Sequence, residues 1–78
     1  MEEWRLESSP QVKARAGYTY PEEPYAFTWE GLERRVARVE REWREPGRKV
    51  YVVRDTANRQ FLLAYSESDS SWQVSQFS

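Results

Sequence analysis

The sequence contains neither cysteine nor histidine. Disulfide bonds, thiolate catalysis, zinc sites built on thiolates or imidazoles, and histidine-activated nucleophiles are therefore excluded. The three glycines, at positions 17, 31 and 47, are too far apart to form a loop that cradles phosphate. No acidic residue carries the signature of a sheltered acid–base pair. We therefore predict a non-enzymatic protein with no catalytic residues, no metal site and no cofactor.

Long apolar runs are also missing. No stretch approaches the roughly 20 apolar residues that a membrane-spanning helix needs, and residues 1–10 lack the basic and apolar regions of a secretory signal. This pattern predicts a soluble cytoplasmic protein with no membrane partner. The net charge of −1 provides no general attraction to nucleic acid or anionic lipid.

The length of 78 residues limits the chain to one domain with one core. Since no disulfide can form, stability must come from packing, and the supply of aromatic residues is large: four tryptophans, five tyrosines and three phenylalanines. We predict a single domain over residues 1–78. Residues 1–10 are mostly polar, so we expect them to be only partly ordered.

The stretch over residues 32–45 has the spacing of a helix. The residues between its large apolar side chains are mainly glutamate and arginine, which favour helix, and Pro46-Gly47 supplies a stop signal. Steps of four, three and four place the apolar side chains on one helical face. These side chains are Leu32, Val36, Val39 and Trp43.

Residues 25–36 also fit a β-hairpin. Aromatic residues at alternate positions precede Glu30-Gly31, which suits a two-residue turn. A strand in this region requires a β-bulge near Ala37-Arg38, because Val36 and Val39 have opposite parity. The turn would set the following cross-strand pairs: Trp29 with Leu32, Phe27 with Arg34, and Tyr25 with Val36.

Alternation of apolar and polar residues predicts further strands elsewhere. The valine-rich run at residues 50–53 is apolar on both faces, which is typical of a central strand. Short polar turns separate the runs and favour a meander of antiparallel strands. The predicted strands cover residues 11–16, 49–54, 60–66 and 72–77, and the spacing of Trp4 and Leu6 suits a short edge strand.

A longer pattern resembles a known family. The order Pro24-x-Ala26-Phe27-x-Trp29-x-Gly31, followed by Val36-x-x-Val39-x-x-x-Trp43-Arg44-Glu45, is similar to a small bacterial family of unknown function. The resemblance covers roughly residues 12–77. A similar module occurs alone or at the C-terminal end of proteins related to Y-family translesion DNA polymerases. The resemblance implies a protein partner related to a DNA polymerase.

The resemblance also favours a strand in the central stretch. The family usually has an aromatic residue at the position of Arg34, which continues the alternation with Val36, and Arg34 departs from that pattern. We therefore predict a mainly β fold, a small curved antiparallel sheet or open barrel of five to six strands. Rings at alternate positions, from Phe27 through Trp72, would converge inside it and leave the guanidinium groups in water. The alternative is an α+β fold with one helix over residues 32–45 packed on an antiparallel sheet.

Arginine provides the clearest signal for a binding site. Basic residues are concentrated between positions 34 and 49, where arginine could neutralise phosphates while an aromatic ring stacks on unpaired bases. Interleaved glutamates cancel much of this charge, so a solvated face of ion pairs is the competing interpretation. The candidate nucleic-acid-binding residues are Arg35, Arg38, Arg41, Arg44, Arg48 and Trp43.

Tryptophan suggests a second kind of site, because it is favoured at protein interfaces. Core packing accounts for Trp29, Trp43 and Trp72, whereas Trp4 lies in a weakly specified end and is the candidate partner-binding residue. Two functions follow as hypotheses. The first is a protein-interaction or accessory module linked to translesion DNA synthesis. The alternative is an accessory nucleic-acid-binding domain that uses the arginine cluster and Trp43.

Overall fold

The computed structural model of the protein describes residues 4–15 and 23–77. Within these ranges the regular structure consists of seven β-strands and no helix. No helix in the described part of the chain is long and apolar enough to cross a membrane. The strands are Trp4–Leu6 (β1), Val12–Ala14 (β2), Pro24–Trp29 (β3), Leu32–Glu45 (β4), Arg48–Asp55 (β5), Gln60–Ser66 (β6) and Ser71–Phe77 (β7).

The strands form one antiparallel sheet in the order β1-β7-β6-β5-β4-β3-β2. The sheet curls into a half-barrel, so that strands far apart in this order meet across its concave side. Phe27 of β3 contacts Phe61 of β6 with ring centroids 4.7 Å apart, and Trp29 contacts the same ring at 5.4 Å. The strands β1 and β2 are the two edges of the sheet.

The predicted mainly β fold with a curved antiparallel sheet is confirmed, and the alternative helix over residues 32–45 is wrong. This stretch is a single strand of 14 residues. Helix propensities differ by less than about 1 kcal/mol per residue among ordinary residues, so hydrogen bonding to β3 and β5 outweighs them here. Within the described residues the sheet has seven strands rather than five to six, because the three-residue segment β1, at an end expected to be only partly ordered, also pairs with β7.

The β3–β4 hairpin has the predicted turn. Glu30 and Gly31 have φ angles of 52° and 79°, and positive φ at both central residues is typical of a type I′ turn. Two of the three predicted pairs are confirmed, and the recorded pairing ends one step before the third, Tyr25 with Val36. The observed pairs are Trp29 with Leu32, Thr28 with Glu33, Phe27 with Arg34, and Ala26 with Arg35.

The strand β4 is long because it serves two parts of the sheet. Residues 32–35 pair with β3, and residues 36–45 pair with β5. Register shifts between Val36 and Arg38 and between Val39 and Arg41 mark two β-bulges. The first lies where the spacing of the valines predicted it, and the second was not predicted. Each bulge reverses the alternation of side chains, so residues three apart lie on the same side of the sheet.

The concave side of the sheet holds the core. Val12, Val36, Val39 and Trp72 are partly buried and pack against it. The prediction that rings at alternate positions from Phe27 through Trp72 converge inside the sheet is confirmed for most of them, but it is wrong for Trp43, which lies on the convex side. The buried core residues are Phe27, Trp29, Tyr51, Val53, Phe61, Leu63 and Val74.

The strand β5 is covered on both sides, as its valine-rich run predicted. Tyr51 and Val53 face the core on the concave side. Val50 and Val52 alternate with them and point to the convex side, yet they too are buried. Their cross-strand neighbours on β4 are Trp43, opposite Val50, and an arginine opposite Val52. On the convex side of the sheet, Val50 and Val52 therefore form a buried apolar layer beneath the polar side chains.

Candidate nucleic-acid interface

Among the residues that the structure describes, five arginines lie on the convex side of the sheet. Three come from β4, where the two bulges keep positions 35, 38 and 41 on one side. Two come from β5, where Arg48 and Arg54 alternate with the buried valines. Trp43 lies among them, opposite Val50. We call this set the arginine face: Arg35, Arg38, Arg41, Trp43, Arg48 and Arg54.

Arg44 lies apart from the other predicted binding residues. It pairs with Lys49 in the register of β4 and β5, on the concave side of the sheet, because alternation resumes after the second bulge. Its Nη2 donates to Glu67 Oε2 at 2.5 Å. The structure thus brings together Arg35, Arg38, Arg41, Arg48 and Trp43, and it separates Arg44 from them.

Trp43 is half-buried on the convex side and is not part of the core on the concave side. Its indole Nε1 donates to Glu45 Oε2 at 2.8 Å, which holds one edge of the ring. The guanidinium carbon of Arg41 lies 5.7 Å from the ring centroid, within the range of a cation–π interaction. The core-packing interpretation therefore fits Trp29 and Trp72 but not Trp43.

Glu40 lies at the second bulge and is held by three side chains from three strands. Its Oε1 accepts from Arg54 Nε at 3.1 Å and from Gln60 Nε2 at 3.2 Å, and its Oε2 lies 3.5 Å from Arg38 Nη2. The hydrogen bond from Gln60, followed by the bond and charge of Arg54, lowers the pKa of the Glu40 carboxyl. Glu40 is therefore ionised at neutral pH and shares its charge between two arginines.

Glu45 is held in the same way at the end of β4. Its Oε2 accepts from Trp43 Nε1, and its Oε1 accepts from Arg48 Nε at 2.7 Å. These hydrogen bonds, with that from Trp43 the larger cause, lower the pKa of the Glu45 carboxyl. Arg48 and Trp43 are thus linked through one carboxylate.

The arginine face is basic although the protein as a whole has a net charge of −1. Lys13 and the carboxylates of Glu33, Glu40 and Glu45 lie on the same side, and together with the five guanidinium groups they give a net charge of +3. Among the described residues, no carboxylate forms an ion pair with Arg35 or Arg41. Positive charge is therefore concentrated on one side of the sheet.

Arg54 of the arginine face and Gln60, which donates to Glu40, were not predicted from the sequence. Arg54 was detectable, because strand alternation from Arg48 through residues 50 and 52 places it on the same side. Gln60 was not, since it reaches Glu40 only when β6 pairs with β5.

A cleft of about 260 Å³ lies between β1 and the β3–β4 turn. Glu7 Oε1 accepts from the backbone N–H of Glu30 at 2.6 Å and ties the two sides of the cleft together. Leu6 borders the cleft, Leu32 lies opposite Trp29, and both leucines are 62% exposed. The side chain of Trp4, the predicted partner-binding residue, lies outside the described residues. The cleft is lined by Arg5, Leu6, Glu7, Ser8, Trp29, Glu30 and Gly31.

No protein-family model matches the sequence, and no curated protein or solved structure is similar enough to match it. The resemblance to the polymerase-associated family therefore stays a prediction, and function must be argued from the geometry of the two surfaces.

Proposed function

We propose that the protein is a non-enzymatic accessory domain that binds single-stranded nucleic acid on its arginine face. The observation that supports this proposal is the effect of the two bulges in β4, which place Arg35, Arg38 and Arg41 on the same side of the sheet as Trp43. Guanidinium groups neutralise phosphates, and an aromatic ring next to them can stack on an unpaired base. The buried valines of β5 support the Trp43 ring from below.

The shape of this surface favours single strands over a duplex. The major groove of B-DNA, about 12 Å wide, accepts a helix or a two-stranded ribbon, whereas the arginine face is the outside of a curved multi-stranded sheet. Stacking on Trp43 also requires a base that is free of its own stack. Of the five arginines, two have no carboxylate partner among the described residues and three form ion pairs with glutamate. We therefore expect only a small number of phosphate contacts.

Intrinsic tryptophan fluorescence tests the proposal directly. We expect oligothymidylate to quench the fluorescence at low salt, and the logarithm of the affinity to fall against the logarithm of salt with a slope between about −1.5 and −3, as two to four phosphate contacts require. Trp43→Phe should abolish most of the quenching, whereas Trp72→Phe on the concave side should retain it. Absence of quenching at low salt would refute the proposal.

The contribution of the arginines is tested by two substitutions on the same strand. Arg41→Ala removes a guanidinium group from the arginine face, and Arg44→Ala removes one from the opposite side of the sheet. Both change the net charge equally. We expect the first to weaken binding by about tenfold and the second by less than about twofold, since screened charges act over a short range. Equal effects would mean that binding follows net charge alone.

Protein interaction is the second candidate function, and the cleft above Trp29 is the observation that favours it. Leu6 lines this cleft and Leu32 directly follows the turn residue Gly31 that also lines it; each leucine is 62% exposed, and exposed apolar side chains that lie close together mark partner-binding surfaces. The family resemblance suggests a partner related to a translesion DNA polymerase. A Leu6→Ser, Leu32→Ser double variant should lose co-purification with such a polymerase-related protein, whereas Arg41→Ala should retain it. Retention by the double variant would exclude this surface.

A further inference from the structure

We propose that Glu40 and Glu45 occupy phosphate positions on the arginine face, so that a nucleic acid binds by displacing their carboxylates. This inference rests on the proposed function and adds a built-in restraint to it. A carboxylate and a phosphate both present anionic oxygen acceptors to the N–H groups of arginine. Side-chain carboxylates held by converging arginines therefore mark the places where phosphate oxygens can bind.

The donors around Glu40 converge from three strands onto one carboxylate. Arg38 comes from β4, Arg54 from β5 and Gln60 from β6, and their donor atoms lie between 3.1 and 3.5 Å from its oxygens. Arg38 is 62% exposed at its side chain, so this position opens to solvent. Two positive groups and one neutral donor directed at a single exposed point suit a phosphodiester, which carries the same single negative charge as a carboxylate and also presents two oxygens as acceptors.

The donors around Glu45 form a second, separate position. Trp43 Nε1 at 2.8 Å and Arg48 Nε at 2.7 Å both point at its carboxylate. The two positions are five residues apart on β4, or roughly 16 Å at the usual rise of an extended strand. They therefore serve different phosphates, with Trp43 and Arg41 between them.

These carboxylates are displaceable. The Glu40 pairs with Arg38 and Arg54 and the Glu45 pair with Arg48 have side chains that are between 23% and 62% exposed. Ion pairs at such positions contribute about 1 kcal/mol or less. A phosphate that binds the same donors replaces the hydrogen bonds that the carboxylates lose. In the free protein, the two glutamates lower the affinity of the arginine face without blocking it.

The strand supplies a matched control for this inference. Glu42 lies on the same strand, between the two glutamates in sequence, but on the concave side, where it contacts Lys49 at 3.4 Å. Replacing any of the three by glutamine removes one negative charge and keeps the shape of the side chain. Only changes at positions 40 and 45 release arginines of the arginine face.

The test measures binding of a fluorescently labelled oligothymidylate by anisotropy at low salt. We expect Glu40→Gln and Glu45→Gln each to tighten binding by about threefold to tenfold, and Glu42→Gln by less than about twofold, on the scale of exposed ion pairs. The Glu40→Gln, Glu45→Gln double variant should also steepen the salt dependence by about one unit of slope, since no displaced carboxylate then takes up cations while the phosphates release theirs.

The outcomes separate this inference from the function on which it rests. If neither the natural chain nor any variant binds the oligonucleotide, the proposed function fails. If the natural chain binds but Glu40→Gln equals Glu42→Gln, or binds more weakly, the displacement inference alone is refuted. Competition by polyglutamate as strong as that by unlabelled oligonucleotide would overturn the assignment to nucleic acid, because an acidic chain would then satisfy the same site.

Discussion

Arg34 Nε and Asp55 Oδ2 are buried atoms without a hydrogen-bond partner among the described residues, and they belong to side chains of opposite charge on the same side of the sheet. Asp55 pairs with Val36 across β4 and β5, and Arg34 lies two residues before Val36, so the two side chains are diagonal neighbours. Asp55 is only 2% exposed. Its Oδ1 accepts from the backbone N–H groups of Ala57 and Arg59 at 2.9 and 2.8 Å.

This relationship predicts an energetic coupling between Arg34 and Asp55. Asp55→Ala should lower the free energy of unfolding by about 2 kcal/mol, because two backbone donors of the β5–β6 turn lose their acceptor. In an Arg34→Met background the same substitution should cost about 1 kcal/mol less. The Arg34 guanidinium group is then absent, so removing the Asp55 carboxylate leaves no positive charge without a neighbouring negative one. Urea unfolding of the four proteins measures this cycle, and strict additivity would show that the two charges do not interact.

The contact of Phe61 with Phe27 and Trp29 predicts that one ring holds the two halves of the curled sheet together. Phe61→Ala should cost about 3 to 5 kcal/mol of stability, because it leaves a cavity between strands that share no backbone hydrogen bonds. Tyr25→Ala, at a ring that is 45% exposed, should cost less than about 1 kcal/mol.

Thermal and urea unfolding measure both phenylalanine and tyrosine variants. Phe61→Leu, which keeps most of the apolar volume, provides a measurable value if the alanine variant does not fold. Equal losses for Phe61→Leu and Tyr25→Ala would contradict the role of Phe61 as the contact between β3 and β6.

The turn at Glu30-Gly31 predicts opposite effects for two substitutions. Gly31→Ala should destabilise the protein by about 1 kcal/mol, because φ is +79° and no atom lies near the added methyl group, so the cost is conformational only. Glu30→Asn should stabilise it by a few tenths of a kcal/mol or more, since asparagine tolerates the φ of 52° better than glutamate and Asn-Gly favours a type I′ turn. A lower melting temperature for Glu30→Asn would contradict this reasoning.

The lowered pKa values of Glu40 and Glu45 predict how stability depends on pH. A carboxyl whose pKa is lower in the folded protein contributes stability that is fully present above its unfolded pKa, about 4.3 for glutamate, and is lost as pH falls through the folded pKa. We therefore expect the melting temperature to be nearly constant from about pH 7 to 5.5 and to fall below about pH 4.5. The double glutamine variant should show a smaller fall, and an identical fall would exclude these two groups as its source.

Local residue patterns were sufficient for much of the fold. The Glu30-Gly31 turn set the register of the β3–β4 hairpin, because a two-residue turn leaves the flanking strands only one pairing. The valines of residues 50–53 identified a strand covered on both sides. The opposite parity of Val36 and Val39 located the first bulge. Each of these inferences depends on residues that lie close together in the chain.

The composition of the binding surface could not be obtained in the same way. The second bulge, which places Glu40 between two arginines and separates Arg44 from them, depends on the register of β4 against β5. Two of the three donors that hold Glu40 come from residues 14 and 20 positions away in the chain. Such contacts exist only once three strands are paired.

Residue spacing and strand pairing therefore determined different features of this protein. Residue spacing specified most of the strands, an aromatic core and a concentration of arginine, because alternation, turn residues and apolar content act within short segments, but it left residues 32–45 open between helix and strand. The pairing of the folded sheet decided which arginines share a face and which carboxylates restrain them. The physical reason is that one extra residue in a strand sends every later side chain to the other side, and only contacts with neighbouring strands determine where that residue is inserted.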